Sequence, residues 1–538
     1  MSHTLLSFEN NRVFVTVSNR RKIVQNARMS SSPQWLRIAS CPLSLSAFGF
    51  VAAALFAFSL ASDALGAQID EQDESEWMNC YAIVVGKACT VDGSVLYAHN
   101  EDSGANRAVN HWKVPRHLRA AGERQTLVDG GTLASVPATQ AYIWCQMPGL
   151  KYSDSYLNES GVAVASNGCQ SREDHPQLTD AGIGLMLRRI VAERATCARE
   201  GLEIACELLS TFGYQDSGRT LVIADAEEAW LLNIVRGKHY AAARVPDDKC
   251  AVLANHYTIH QIEAEDQENY RTSPGLIEYA QERGWYEPER DGAFDFATVY
   301  GKDGARNHRS NIRRAWRGNE LVSKSELPEE WFQPTFITPS NKLGPLALME
   351  ILRDHYEGSK YDISEGYQEC SPYEMKQPTI CAGRTSFSTV FQLRSHMPAS
   401  IGAVMWIAMC RPDTSVFVPW YAGIEEVPPG FGNGAAEMAL AKHFEPSYME
   451  LGQPENFAAT RALQSRIESD YGKFYPSLDK ARDAFELDLL GLQAEVEACA
   501  LRLYSQIPTA ASELLTAYTL GQQARANSLI RELDNTLR

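Results

Sequence analysis

Cys80 is the residue around which chemistry can be organised. It heads a β-rich run, Tyr81 to Val85, and a short acidic, polar stretch (68–79) precedes it. His99, Asn100, Glu101 and Asp102 follow the next run. If the bond between Asn79 and Cys80 is cut, one residue owns both a thiol and a free α-amine. An α-amine has a reference pKa of about 7.7–8.0 and a thiol one of about 8.5, so the amine can take the thiol proton near neutral pH. Nucleophile and base then share one residue, and no separate histidine is required. Such a chain has to be made with its N-terminus blocked and activated by cleavage. Taken alone, a cysteine at a strand edge is more often a small buried hydrophobe.

The elements that must position Cys80 can be read from the hydrophobic pattern. Tyr81–Val85 and Val95–Ala98 flank an Asp92-Gly93 turn signal, which predicts a β-hairpin. Further strands are expected at Ala141–Cys145, Val162–Ser166, Leu221–Ala224, Ala229–Val235 and Ala251–Ala254, then at Ser388–Leu393, Ile401–Ala408 and Ser415–Val418. Between them, Leu187, Ile190 and Val191, then Leu202, Cys206 and Leu209, recur at helical spacing. Helices between hairpin-linked strands point to layered α and β, not to an all-β sandwich. Beyond the turn-rich 428–434 the pattern is helical. Leu478, Phe485, Leu489, Leu492, Val496, Cys499 and Leu503 form a stripe that Pro508 ends, and a second amphipathic stretch covers 510–537. Such stripes usually face a core.

Nine short stretches carry a family resemblance. They are CYAIVVGK (80–87), DGS (92–94), NEDS (100–103), NESGV (158–162), DAEEAW (225–230), RVPDD (244–248), RRAWR (313–317), VFQLR (390–394) and FVPWY (417–421). Each is weak alone; in this order over about 340 residues they are specific. From Cys80 almost to its end the chain resembles peptidase family C69, the dipeptidase A type of N-terminal-nucleophile hydrolase, with secernins as relatives. The resemblance implies an α+β fold of four layers, αββα, with two stacked antiparallel sheets between helices. It also implies self-cleavage before Cys80 and hydrolysis of short peptides, chiefly dipeptides, through an acyl-enzyme. It implies no metal and no organic cofactor.

Site roles carry over residue by residue. In the wider superfamily a basic residue and, three positions on, an aspartate follow the nucleophile. The matching pair is His99 and Asp102. Asp102 would hold the α-amine by a charge-assisted hydrogen bond. His99 departs from the usual arginine or lysine, and a histidine with a pKa of about 6.5 is not reliably charged at neutral pH. It could still donate to the thiolate, or be structural filler. Asn255 matches an asparagine that would donate to the oxyanion together with a backbone N–H, and Asn167 is a second candidate donor. Either could instead be a turn residue. Of the arginines at 309, 313, 314 and 317, a run that by default is a solvated face, Arg314 best matches the one that would stabilise charge at the centre.

Other chemistries are disfavoured. The net charge of −17, with acids spread along the chain, argues against a nucleic-acid partner. There is no G-x-S-x-G, P-loop or H-E-x-x-H motif. Gly182 and Gly184 lack a third glycine, and His256 and His260 lack a third ligand. None of the twelve cysteines forms a C-x-x-C pair, and disulfide pairing is left open.

Upstream, an uncharged apolar run at 44–62 follows Arg20, Arg21, Lys22, Arg28 and Arg37 and precedes Ala64-Leu65-Gly66-Ala67. That is the order of a secretory signal, in which case the protein is secreted or periplasmic, with a lysosomal or vacuolar fate also open. The run is also just long enough for an uncleaved anchor, the one contact with a membrane that the sequence offers. Met29 would be a more ordinary start than Met1. The expected organisation is a signal at 1–67, a propeptide or spacer at 68–79, a catalytic domain at 80–427 and a helical extension at 435–538. Small peptides are the expected partners, and a homo-oligomer is compatible with the sequence. The alternatives are an N-acyl amide hydrolase of the penicillin V acylase or bile-salt hydrolase kind, and a non-catalytic secernin-like scaffold.

The N-terminal residue of the purified mature protein, read by intact-mass spectrometry, is expected to be Cys80. A chain active on dipeptides that begins at Gln68 or earlier contradicts this.

Overall fold

The computed structural model describes residues 80–537 apart from 105–106, 129, 152–153 and 376–378, together with a two-strand pairing of Phe8–Glu9 with Arg12–Val13. Apart from those four residues, the predicted signal and spacer lie outside the described residues, as does Cys41. From Cys80 onward the described chain belongs to one compact unit.

Fourteen strands build two antiparallel sheets: β1 (Cys80–Val85), β2 (Val95–Glu101), β3 (Asn110–Val114), β4 (Tyr142–Gln146), β5 (Ser155–Asn158), β6 (Ala163–Gly168), β7 (Tyr214–Ala224), β8 (Ala229–Gly237), β9 (Tyr240–Arg244), β10 (Cys250–Leu253), β11 (Tyr270–Thr272), β12 (Phe387–Leu393), β13 (Ala403–Met409) and β14 (Val418–Tyr421). The six-stranded sheet has the order β10-β1-β2-β12-β13-β14, and the eight-stranded sheet β11-β9-β8-β7-β6-β5-β4-β3. The longer helices are α1 (Met186–Arg194), α2 (Ala198–Phe212), α3 (Arg309–Ser323), α4 (Pro345–Leu352), α5 (Glu455–Ser469), α6 (Tyr471–Tyr504) and α7 (Pro508–Thr536).

Period-two alternation in the eight-stranded sheet separates its two faces. Val222, Ala224 and Leu231 point into the layer between the sheets. Leu221, Ile223, Trp230 and Leu232 point the other way, onto Leu187, Ile190, Leu202 and Leu209 of α1 and α2. The outer face of the six-stranded sheet is covered by α3 and α4, and by α6 and α7 across β14. The result is α+β, with four layers in the order αββα. Because both faces of β1 are covered, all six of its residues are buried, and its sequence reads as a continuous apolar run.

The expected hairpin forms, with β1 antiparallel to β2. A single 3-10 turn, Lys87–Cys89, and the Asp92-Gly93-Ser94 turn connect them, with Gly93 at φ +75°. Asp92 accepts from the Ser94 backbone and hydroxyl, and from Gln392 Nε2 at 2.7 Å.

Two expected strands differ from the structure. Ile401 lies in a short helical turn, Ala399–Gly402, and the strand starts at Ala403. Residues 412–414 form a 3-10 turn, so the last strand begins at Val418 and not at Ser415. Pro508 does not simply end a helix: it occupies the first turn of α7, where its missing N–H costs nothing.

The stripe on α6 also shifts. Leu478, Phe485 and Leu489 are buried, but farther on the buried residues are Gln493, Glu497 and Ala500, and Leu503 is exposed. The reason is an ion pair. Arg394, at the end of β12, meets Glu497 with both terminal nitrogens at 2.8 and 2.6 Å, and the Tyr421 hydroxyl donates to the same carboxylate at 3.1 Å. A bidentate pair with an extra donor makes a buried carboxylate tolerable at the turn where Val496 was expected to face inward.

Among the described residues no cysteine is disulfide-bonded, and no helix is long and apolar enough to cross a membrane.

Glu497→Ala strands the Arg394 guanidinium in the interior. It is expected to lower the unfolding free energy by about 3 kcal/mol, measured by urea denaturation of the full chain; a loss below about 1 kcal/mol would show that solvent already reaches the pair.

Candidate active site

Strand register places the site. Cys80 pairs directly with Glu101 across the β1–β2 ladder, and Ala82 with His99. Directly opposed residues share a face, so the Cys80, Glu101 and His99 side chains all enter the layer between the sheets, where His99 meets β6 of the opposite sheet. Tyr81 and Asn100 take the other face. Asn100 Nδ2 donates to the carbonyls of Leu352 and Ile380. A Cβ on Gly318 of α3 would overlap the Tyr81 hydroxyl. Glycine at 318 is therefore what lets α3 lie close against β1.

That close approach delivers Arg314. Its side chain is wholly buried. Nε donates to the Ser310 carbonyl at 3.2 Å, Nη1 to the Cys80 carbonyl at 3.3 Å, and Nη2 to Oδ1 of Asn255 at 2.7 Å and of Asn311 at 3.0 Å. Asp102 Oδ2 lies 3.5 Å from Nη1. Thr385 donates to the other Asp102 oxygen at 2.6 Å. One guanidinium therefore touches Cys80, Asp102 and Asn255. Its neighbours on the helix turn away: Arg313 pairs with Glu329 at 3.0 Å and Arg317 with Asp354 at 2.7 Å. The default reading of this arginine run as a solvated face fails at Arg314 and Arg317, both buried.

The two asparagines lie at the seam between the sheets. Asn255 Nδ2 donates to the Gly168 carbonyl at 2.9 Å, and Asn167 Nδ2 to the Leu253 carbonyl at 3.3 Å. Arg314 fixes which way the Asn255 amide faces.

The thiol environment is buried and acidic. Burial pushes the Cys80 thiol well above its ordinary value, and the carboxyls of Glu101 and Asp102 add to this. Glu101 Oε1 accepts from the thiol at 3.5 Å and from the Ser103 hydroxyl. Burial raises Glu101 to about 8, against the pull of Ser103, Arg219 and Arg188. It raises Asp102 to about 7, against Arg314 and Thr385.

His99 is not the cation that its position would supply in the family pattern. Burial lowers it to about 3, so it is neutral at physiological pH. Its Nε2 faces the Ser166 carbonyl at 3.3 Å, which places its proton there, while Nδ1 has no hydrogen-bond partner. The positive charge comes from the opposite sheet. Arg219 of β7 lowers the thiol and Glu101 alike, and it donates to the Ser166 hydroxyl at 3.3 Å, to which Arg188 of α1 donates at 2.5 Å. Burial works against the charge of Arg219, but Tyr214, Asp216, Cys80 and Glu101 more than offset it. Sequence reasoning missed Arg219 and Arg188. Neither lies in a matched stretch, and only the tertiary fold brings β7 and α1 to Cys80. Glu101 stood inside NEDS, but only the strand register reveals that it faces the thiol.

Cys80, His99 and Glu101 offer three donor atoms within 4.8 Å of one another. A divalent ion there would have to face Arg188 and Arg219. His260 is engaged by Asp295 at 2.8 Å and by the Gln333 carbonyl, and His256 by the Tyr257 carbonyl. Both are therefore structural.

Residues 79–449 match the family model described as Peptidase family C69. A probable dipeptidase of Salmonella dublin is 29% identical over 370 residues, which cover 66% of this chain and 83% of the relative. A probable dipeptidase of Latilactobacillus sakei is 23% identical over 419 residues, covering 75% and 84%. Among solved structures, a conjugated bile acid hydrolase from Clostridium perfringens aligns with 62% of this chain and 89% of its own, at 11% identity and a TM-score of 0.26.

Removing a cation beside a thiol disfavours the thiolate. Arg219→Gln is therefore expected to move the Cys80 titration, read from the ultraviolet absorbance that Cys80→Ser abolishes, upward by about one pH unit. His99→Gln, which removes no charge at neutral pH, is expected to leave that titration in place; the reverse pattern would return the cationic role to His99.

Proposed function

The chain belongs to peptidase family C69, and we propose that it is an exported dipeptidase that cleaves short peptides through an acyl-enzyme on Cys80 after cleavage before that residue. Arg314 carries the reading. A single buried guanidinium ties the Cys80 backbone to Asp102 and Asn255, the three positions at which a nucleophile that serves as its own base needs help.

The reaction follows from those positions. The freed α-amine of Cys80 takes the thiol proton, and Asp102 holds the resulting ammonium. The thiolate attacks the peptide carbonyl, and the oxyanion is met by an N–H of Asn255 and a backbone N–H. As the tetrahedral intermediate collapses, the C–N bond breaks and the ammonium returns its proton to the leaving amine. Water, deprotonated by the same amine, then cleaves the thioester. Arg219 stabilises the thiolate between these steps. Residues 1–67 would direct export and 68–79 keep the amine blocked until then.

The experiment is a substrate panel with the wild type and Cys80→Ala. Dipeptides should be turned over faster than N-acyl amides, and the alanine variant should lose at least about 1,000-fold in kcat on dipeptides. Preference for N-acyl amides would make the chain an acylase, and activity untouched in Cys80→Ala would remove the cysteine from the mechanism.

A further inference from the structure

The reaction just described gives no task to Glu101, although its carboxyl accepts from the thiol itself. Its carboxyl is fully buried, 3.5 Å from Sγ, and held by the Ser103 hydroxyl. A buried carboxyl beside a nucleophile is costly, because its charge opposes the thiolate. Asp102 already has Arg314 and Thr385. Glu101 is the one left facing the reacting centre, across the ladder from Cys80.

The covalent geometry of a peptide says what such a group can reach. In a substrate with a free amino terminus, the ammonium nitrogen is one Cα away from the first carbonyl carbon, about 2.5 Å. The thiolate must approach that carbon to about 3–3.5 Å before attack. The ammonium of a dipeptide is thereby confined to within about 6 Å of Sγ, close enough to turn toward a carboxyl oxygen 3.5 Å from the same sulfur. An N-acylated substrate, or a bond further along a longer peptide, places an uncharged amide there instead.

Charge balance favours the same occupant. An ammonium beside an ionised Glu101 cancels its charge, so the bound pair leaves no net charge next to Sγ. It also turns Glu101 from a like charge next to the thiolate into half of an ion pair.

We propose that Glu101 recognises the free α-ammonium of the substrate, which confines cleavage to the first peptide bond of unblocked short peptides. This rests on Cys80 being the nucleophile.

The test compares wild type, Glu101→Gln and Glu101→Asp, each confirmed by mass to begin at Cys80, on alanyl-alanine and N-acetylalanyl-alanine. Glutamine keeps the shape and removes the charge. It is expected to lower the ratio of kcat/KM on the free dipeptide to that on the acetylated one by about 100-fold, mostly through KM for the free dipeptide, any change in thiol reactivity being shared by both substrates. Aspartate should restore part of the preference. If glutamine blocks maturation, aspartate carries the test, with KM raised about tenfold for the free dipeptide alone. Equal losses on both substrates, or none on the free dipeptide, overturn the assignment of Glu101 while leaving the peptidase reading intact. A wild type inactive on both overturns the reading and the assignment together.

Discussion

A guanidinium with no access to water holds this site together. Arg314 cannot lose its proton, so burying it obliges the fold to surround it with acceptors. Those acceptors are the site: the carbonyl of Cys80, the carboxylate of Asp102 and the amide oxygen of Asn255, with Asn311 and Ser310 completing the set from its own helix. The dependence runs both ways. Burial pulls the arginine toward neutrality and the charge of Asp102 opposes that pull. Burial likewise lifts Asp102, and Arg314 restrains it. The planar fork meets three separate chain segments at once, which a lysine could not do with the same geometry.

The second organising feature is the division of labour between the sheets. The six-stranded sheet supplies the thiol and both carboxyls next to it, all acidic. The eight-stranded sheet and its helix supply Arg219 and Arg188, both basic, through the hydroxyl of Ser166. Packing the sheets face to face is therefore also a neutralisation. Each alone would leave uncompensated charge in an apolar layer, and together they leave a thiol poised between a cation and two carboxyls.

Much of the framework was legible in the residues. The apolar runs at Leu221–Ala224 and after Cys80 and the Asp92-Gly93 turn each follow from local chemistry, and the ladder reproduces them. Cys80, Asp102 and Arg314 stand in matched stretches and Asn255 follows an expected strand, and the fold brings all four together. What stayed hidden depends on partners remote in sequence. Arg219 and Arg188 matter because of what packs opposite them. Glu497 faces inward on α6 because Arg394 waits for it on another element. His99 carries no charge because the layer around it is dry. A one-dimensional reading sees side chains and spacing, but not the dielectric in which they will sit.

The β1–β2 hairpin has a further consequence. The opposition of Cys80 and Glu101 is set six residue pairs away, where the Asp92-Gly93-Ser94 turn is pinned by Thr90 and Gln392. A strand pair slides only in whole residues, and a slip of one exchanges inward for outward side chains along its length. One added or deleted residue in that turn would bring Asn100 or Asp102 opposite the sulfur in place of Glu101. The surface turn is thus a gauge block for the interior. Loop length, ordinarily free to drift over evolutionary time, should be inherited there as strictly as the identity of the nucleophile.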